Sequence, residues 1–360
     1  MIIENLELQN FRNYDYLNIS FDKGVNIFYG DNAQGKTNIL EALYISGTSK
    51  SHKNAKDKEV IKFNCEEAHI KTIVSKDNIK NKIDIHLKSH KSKGIAINDA
   101  PIKKVTELFG VLNLIFFSPE DLNIIKNGPS ERRKFIDMEL CQLDKVYLYN
   151  LTKYNQTLNQ RNKLLKQIID DPSLKSTLDV WDDQLINYGL EIIKRRRKFI
   201  ADLNQVIFLI HKKLSGNKEE LTLLYEPYVN ENNYIDELKK KRNVDLRMLN
   251  TSVGPHKDDI AFLIKNIDIR KFGSQGQQRT AALSLKLSEI ELVKSIINDK
   301  PVLLLDDVLS ELDKNRQNQL LDSLDQTQTI VTCTGLDEFI KERIKINKTF
   351  NVINGRILEG

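Results

Sequence analysis

The chain has 360 residues, enough for one large or two modest domains with a substantial core. Its 55 Lys and Arg against 50 Asp and Glu leave a net charge of +5, which permits a polyanionic partner without requiring one. No run approaches the roughly 20 apolar residues of a membrane span. The 3 cysteines, Cys65, Cys141 and Cys333, have neither disulfide-framework nor zinc-site spacing, so a cytoplasmic protein with reduced thiols and no membrane partner is expected.

The sequence begins directly with an alternating strand pattern, Ile2 to Leu8. Val25 to Tyr29 is a second predicted strand, and Thr37 to Ile45 a helix. Between them lies Gly30, Asp31, Asn32, Ala33, Gln34, Gly35, Lys36 and Thr37, which reads G-x-x-x-x-G-K-T. Taken alone, these are two turn glycines and a surface lysine. In the strand, loop and helix context they make a phosphate-binding loop. The glycines let successive amides point inward, and the helix N-terminus adds its positive dipole end. Lys36 is then placed for the β and γ phosphates and Thr37 for Mg²⁺. Further strands are predicted at Ala68 to Val74, Lys82 to Leu87 and Leu112 to Phe117.

From Asp144 the period changes to three and four: Tyr147, Leu151, Tyr154, Leu158, Leu165 and Ile168, interrupted only by Arg161. After a break at Asp171, Pro172 and Ser173 it resumes with Trp181, Leu185, Tyr188, Ile192, Phe199, Val206 and Ile210, with Arg195 in the seam. The pattern predicts two antiparallel helices of roughly 40 Å with a tight tip. A protruding arm and a pair of core helices both satisfy it. From about Leu221 a strand, a helix and the Asp259 to Ile264 strand lead to Ser274, Gln275, Gly276, Gln277 and Gln278. This SQGQQ segment opens a long apolar-periodic helix and is either an ordinary N-cap turn or an anion site. Val302 to Leu305 then runs straight into Asp306 and Asp307, as a buried parallel strand ending at a ligand crevice does. Asp306 is a candidate for Mg²⁺, and Asp307 for orienting the water that attacks the γ-phosphate.

A phosphate loop, a distant SQGQQ and an acidic strand together are the pattern of ATP-binding-cassette ATPases, whose sites close when two copies meet. Within that group the chain resembles the RecF family, of the SMC-like branch, nearly end to end. The resemblance is carried by LxNFRNY (Leu8 to Tyr14), GDNAQGKTNILEAL (Gly30 to Leu43), FSPEDL (Phe117 to Leu122) and GPSERRKFID (Gly128 to Asp137). It continues through SVGPHKDD (Ser252 to Asp259), GSQGQQRT (Gly273 to Thr280) and LLLDDVLSELD (Leu303 to Asp313).

The resemblance implies an α/β cassette-type head with an inserted helical arm: residues 1–143 as the first half of the head, 144–245 as the arm, and 246–360 as the second half. It also implies an ATP-dependent homodimer in which Ser274, Gln275, Gly276 and Gln277 complete the partner's site and the SELD turn, with Ser310 and Asp313, packs across the interface. Arg12 and Asn13 are implied near the nucleotide, and Glu120 in the loop that senses the γ-phosphate. Single- and double-stranded DNA, RecO and RecR are the implied partners, in recombinational repair, replication restart and the SOS response. Asp307 stands where cassette ATPases usually carry Glu, and Thr329 to Thr334 reads TIVTCT without the usual histidine. Both departures imply slow hydrolysis, in which the ATP-bound dimer acts as a switch more than a motor.

For DNA the candidate cations are Lys53 and Lys56 after the first helix, and Lys194, Arg195, Arg196 and Arg197 on the second arm helix. Nothing resembles a recognition helix or finger, so sequence readout is not expected. A transporter ATPase subunit and an SMC-type chromosome tether are the competing readings. The first leaves the helical pair without a purpose, and the second requires far longer arms.

Overall fold

The structure, a computed structural model, describes residues 1–77, 79–324, 327–335 and 345–359. It divides into two compact units: Met1–Asp121 with Lys286–Gly360, and Leu122–Leu285 between them. The expected boundaries at 143/144 and 245/246 followed the onset and end of helical periodicity. The observed ones fall at 121/122 and 285/286, the latter inside the Gln275–Ile297 helix. The helix Pro129–Leu143 belongs to the middle unit because Arg132 forks onto Asp259 of the Asp259–Ile264 strand and donates to the Asn127 carbonyl at 2.7 Å.

The first unit contains two six-stranded sheets among its described residues. In one, Leu114–Phe117, Val302–Asp306, Thr329–Cys333, Val25–Tyr29 and Ile346–Ile353 lie side by side and parallel, with Arg356–Glu359 antiparallel at the edge. Leu114–Phe117, Val302–Asp306 and Thr329–Cys333 are buried at every position, so they carry no polar alternation. Both chemistry-bearing turns therefore leave carboxyl ends of one parallel sheet, where α/β folds place ligands. The other sheet is antiparallel, in the order Tyr14–Ser20, Ile2–Phe11, Glu67–Lys76, Ile79–Lys88, Gly94–Ile97, Ala100–Pro101. Its strands alternate: Ala68, Ile70, Thr72 and Val74 point inward, while their odd-numbered neighbours face outward.

The helix Lys36–Thr48 is buried between these sheets, packing on strands of both. That explains its apolar residues on every side: Ile39, Leu40, Ala42, Leu43 and Ile45 are all buried. Gly47 permits the approach, since a Cβ there would lie 2.7 Å from Leu114 Cδ1 and 3.1 Å from the Leu112 carbonyl. Stacked rings of Phe28 and Phe350, 4.5 Å apart, close the core on the other side of the parallel sheet's middle strand.

The middle unit carries the helical arm. Lys145–Asp170 and Leu178–Leu214 pack together, joined by a 3₁₀ turn over Pro172–Thr177. A third helix, Tyr234–Met248, joins them and contributes Leu246 to the tip cluster of Leu164, Leu165, Ile168 and Leu178. A three-stranded antiparallel sheet of Leu221–Glu226, Asp259–Ile264 and Ile267–Asp268 completes the unit.

Arg161 is fully buried among the three helices. It donates to Asp182 at 2.6 Å, to Asp245 at 2.8 Å and to Thr251 at 2.9 Å. Asp245 also accepts from Ser252, and Asp182 from Arg242. The interruption of the apolar pattern at Arg161 thus marks a three-helix junction.

The basic run expected to face DNA is divided by the helix turn. Arg196 is 2% exposed and bonded to Asp137, Asp258, the Pro255 carbonyl and the Tyr147 hydroxyl, so it is corrected from a DNA candidate to a core residue. These partners take four of its five N–H donors. Arg195 is half-buried and held by Asp144 and Glu191. Arg197 is exposed beside Glu231, and Lys194 is exposed.

Candidate nucleotide site

The loop after Val25–Tyr29 takes backbone conformations that its sequence anticipates. Gly30 and Gly35 have φ of 146° and 113°, and added side chains there would strike the Val352 carbonyl oxygen and the Asn13 amide, each at 2.5 Å. The turn is braced from outside. Asn13 donates its side-chain amide to the Gln34 carbonyl at 3.0 Å and accepts from Asn38 at 2.8 Å, and Tyr14 donates to the Gly35 carbonyl at 3.1 Å. The Asn354-Gly355 hairpin tip adds two amides, one to the Gln34 side-chain oxygen at 2.6 Å and one to its carbonyl at 3.1 Å. Sequence reasoning missed this hairpin, although Asn-Gly between two alternating stretches is a strong turn signal.

Lys36 is 7% exposed, and its ammonium donates back to the carbonyls of Gly30 at 2.6 Å and Asp31 at 2.7 Å. Asp31, Asn32 and Ala33 at the loop's crest are exposed. Thr37 donates its hydroxyl to Asp306 Oδ1 at 2.8 Å, joining the phosphate loop to the acidic strand end across 269 positions of sequence.

Thr332 makes a second bond to the same Asp306 oxygen at 2.8 Å, and its hydroxyl accepts the Asp307 amide at 3.0 Å. Thr332 is the residue of TIVTCT that fastens the acidic pair, a role the sequence pattern did not reveal. Asp307 has φ of 55°, a left-handed conformation that Asp tolerates better than most residues. Its Oδ1 is buried and accepts no hydrogen bond among the described residues. A buried acceptor without a donor is costly unless a ligand, water or ion meets it.

Arg12 and Asn13, expected near nucleotide, form the turn between the strands Ile2–Phe11 and Tyr14–Ser20, and Asn13 bonds the loop. Arg12 forks onto Glu41 with both bonds at 2.7 Å and donates to the Glu59 carbonyl at 2.8 Å. Burial pushes the Glu41 carboxyl up, but hydrogen bonds from Arg12 and Ser51 outweigh it and hold the group below its ordinary value.

His52, also missed by sequence reasoning, stacks on Phe116 with ring centres 4.2 Å apart, and burial lowers its pKa to about 4 against the pull of Glu41 and Asp306. His256, in the middle unit between Tyr154 and the Thr251 carbonyl, is lowered to about 4 by the same cause. Both are neutral in the folded chain, while the unfolded chain protonates them near 6.5. The unfolded state therefore binds more protons below that pH, and stability is lost as pH falls from 6.5 toward 4 and is flat above. Thermal unfolding followed over this range should show that fall, up to about 3 kcal/mol per histidine. His52→Phe, which keeps the stack, should remove its share of the slope; an unchanged slope would assign the proton uptake elsewhere.

The remaining predicted residues are placed as follows. Glu120 is exposed in the 3₁₀ turn Pro119–Leu122. Ser310 donates to the Asp307 carbonyl at 2.8 Å, and Asp313 caps the helix Lys314–Ser323 through the Asn315 and Arg316 amides. In the middle unit, Ser274 and Gln277 form a reciprocal capping box at the start of Gln275–Ile297, with bonds of 3.2 and 2.8 Å. Ser274, Gln275 and Gly276 are exposed. Lys53 and Lys56 are exposed beside the first unit's 57–60 turn, with no carboxylate paired to either side chain among the described residues.

The RecF/RecN/SMC N-terminal domain family matches residues 2–356. A "DNA replication and repair protein RecF" of Agathobacter rectalis is 62% identical over 357 residues, covering 99% of each chain. This chain belongs to the RecF family. A solved structure of the recombination mediator protein RecF-ATP in the RecFOR pathway aligns with TM-score 0.93 at 37% identity, over 99% of this chain and 97% of that one. An Smc head domain with an extended coiled coil from Pyrococcus furiosus aligns at TM-score 0.57 and 18% identity, over 99% and 96%, and shares the fold. The cassette-type α/β head with a helical insertion is therefore the fold of this chain as of RecF, and DNA replication and repair is the setting of its family.

Proposed function

We propose that this chain binds ATP with Mg²⁺ at the Gly30 to Thr37 loop, dimerises on it, and holds DNA at gaps or junctions until slow hydrolysis releases it. The bond from Thr37 to Asp306, with the unbonded buried oxygen of Asp307 beside it, carries this reading. Thr37 and Asp306 have the oxygen donors that Mg²⁺ takes, so these two would hold it, and the ion would neutralise charge on the bridging phosphates. Lys36 exchanges its two carbonyls for phosphate oxygens, and the loop amides, fixed by Asn13 and the 354–355 hairpin, receive the rest. Asp307 orients the attacking water, with Glu120 as the alternative carboxylate.

Ser274, Gln275, Gly276 and Gln277 serve the partner's nucleotide, and Ser310 and Asp313 lie at the interface. DNA phosphates meet Lys53 and Lys56 on one unit and Lys194 and Arg197 on the other, while Arg195 must leave Asp144 to take part. The ATP-bound relative supports the nucleotide, and the names of the relatives support DNA replication and repair within a RecFOR pathway; this reading adds RecO and RecR as partners, replication restart and the SOS response as the setting, and recombinase loading promoted by the retained DNA.

Completion of the site in trans has a direct test. Ser274→Arg should keep ATP binding and lose dimerisation and turnover, because the cation occupies the γ-phosphate position. Ser274→Asn keeps the helix cap and controls for the roughly 1 kcal/mol that cap loss costs. Mixed with Lys36→Met, Ser274→Arg forms heterodimers with one intact site, and hydrolysis should partly recover. Loss of ATP binding by monomeric Ser274→Arg would place both loops in one site and overturn the two-chain arrangement.

A further inference from the structure

A cluster unrelated to the nucleotide loop lies on the outer face of the antiparallel sheet. Glu67 and His69 are two apart on the strand Glu67–Lys76, so both point outward. His86 on Ile79–Lys88 pairs directly opposite His69 in the ladder. The imidazole rings stack with centres 4.0 Å apart, and His86 Nε2 lies 2.6 Å from Glu67 Oε2. One donor atom from each of the three residues lies within 4.8 Å of the others.

On its far flank His86 faces Gly94 of the next strand, where an added Cβ would come no nearer than 4.0 Å, so that side is open. Two imidazoles and a carboxylate on a rigid two-stranded platform, with one side free for water, form a three-ligand set that suits a borderline divalent ion.

We propose that Glu67, His69 and His86 bind one Zn²⁺ ion, with water in the fourth position. Ligand atoms on a tetrahedral ion with bonds of about 2.0 to 2.1 Å stand roughly 3.4 Å apart. Small side-chain rotations therefore bring the three donors together without moving the backbone. The ion takes the place of the hydrogen bond between His86 and Glu67, and because only neutral imidazole and ionised carboxylate ligate a cation, binding weakens in acid.

Burial and the neighbouring His86 keep His69 below its ordinary pKa, which leaves a free imidazole lone pair at neutral pH. The surrounding charges act in both directions. Lys88, 3.9 Å from Glu67, opposes a cation, while Asp84 favours one although Lys82 pairs with it at 3.3 Å. Lys71 is occupied by Glu7 at 3.1 Å, and Gln9 faces His69 from the adjoining strand.

The test is calorimetric titration of ZnCl₂ into full-length, tag-free protein without nucleotide or Mg²⁺, with Co²⁺ absorption to report coordination. One equivalent should bind with Kd on the order of micromolar. His69→Ala or His86→Ala should each weaken it at least tenfold. Lys88→Met should tighten it several-fold, and Asp306→Asn should leave it unchanged, which separates this site from the nucleotide's ion. A hundredfold excess of Zn²⁺ over Kd should raise the unfolding midpoint by a few degrees in the wild type and not in the double histidine variant. The absence of one-equivalent binding, or an unchanged isotherm in the double histidine variant, would overturn the assignment. If the double variant fails to fold, the Lys88→Met comparison still decides, because an unaltered affinity there contradicts a cation beside Glu67.

Discussion

Lys36→Met should abolish ATP-dependent dimerisation and reduce hydrolysis by about 100-fold or more, the scale of losing a principal phosphate donor. The variant is informative because the lysine stem is buried and Met fills the same space. What it removes is the ammonium that bridges the Gly30 and Asp31 carbonyls and that, in the proposed site, would turn to the phosphates. Leaving those carbonyls without that donor costs the fold about 1 to 3 kcal/mol, a loss the braces from Asn13, Tyr14 and the 354–355 hairpin can absorb. Equilibrium sedimentation should therefore show a folded monomer at every ATP concentration. Wild-type dimers formed by this variant would remove Lys36 from the mechanism.

Arg161→Met should destabilise the helical unit by about 3 to 5 kcal/mol. The substitution strands Asp182 and Asp245, both buried, with one fewer cation between them. Asp182 keeps Arg242 and Asp245 keeps Ser252, so the loss falls on the point where three helices meet. Denaturant unfolding followed in the helical unit should shift to a lower midpoint, and removing the second charge as well, in Arg161→Met with Asp245→Leu, should recover part of it. A single-variant loss below about 1 kcal/mol would show that the burial cost of the ion pairs had offset their attraction all along.

These two residues also show what a sequence discloses. The Gly30 to Thr37 loop was legible as a backbone form because phosphate binding demands glycines at fixed places, and Gly30 and Gly35 take the positive φ that the pattern anticipates. Arg161 and Arg196 break apolar stripes, and for Arg196 the spacing held the answer. Ile192, Arg196, Phe199, Leu203 and Ile207 recur at four, three, four and four, and all are buried. Its place in a visibly basic run outweighed that spacing.

The boundary at 121/122 was not legible, because it depends on Arg132 meeting Asp259, a pairing across 127 positions that no local pattern announces. The same holds for Thr332 and for His52, whose surroundings come from segments remote in the chain. His69 and His86 sit on strands the alternation had located, yet only the ladder register shows that they touch.

The capping box at Ser274 has one further meaning. In a lone chain the capping pair at this helix end is already satisfied, since the serine hydroxyl receives the Gln277 amide and the serine amide meets the Gln277 side chain. Engaging a phosphate there trades one set of hydrogen bonds for another, and such trades are worth little net free energy. In the proposed two-chain arrangement this surface is quiet by default, and two copies would gain no adhesion from it until a triphosphate supplied charge. In the proposed dimer, contact between copies would then report the presence of intact nucleotide, and its loss would erase the signal without any part of the chain having to refold.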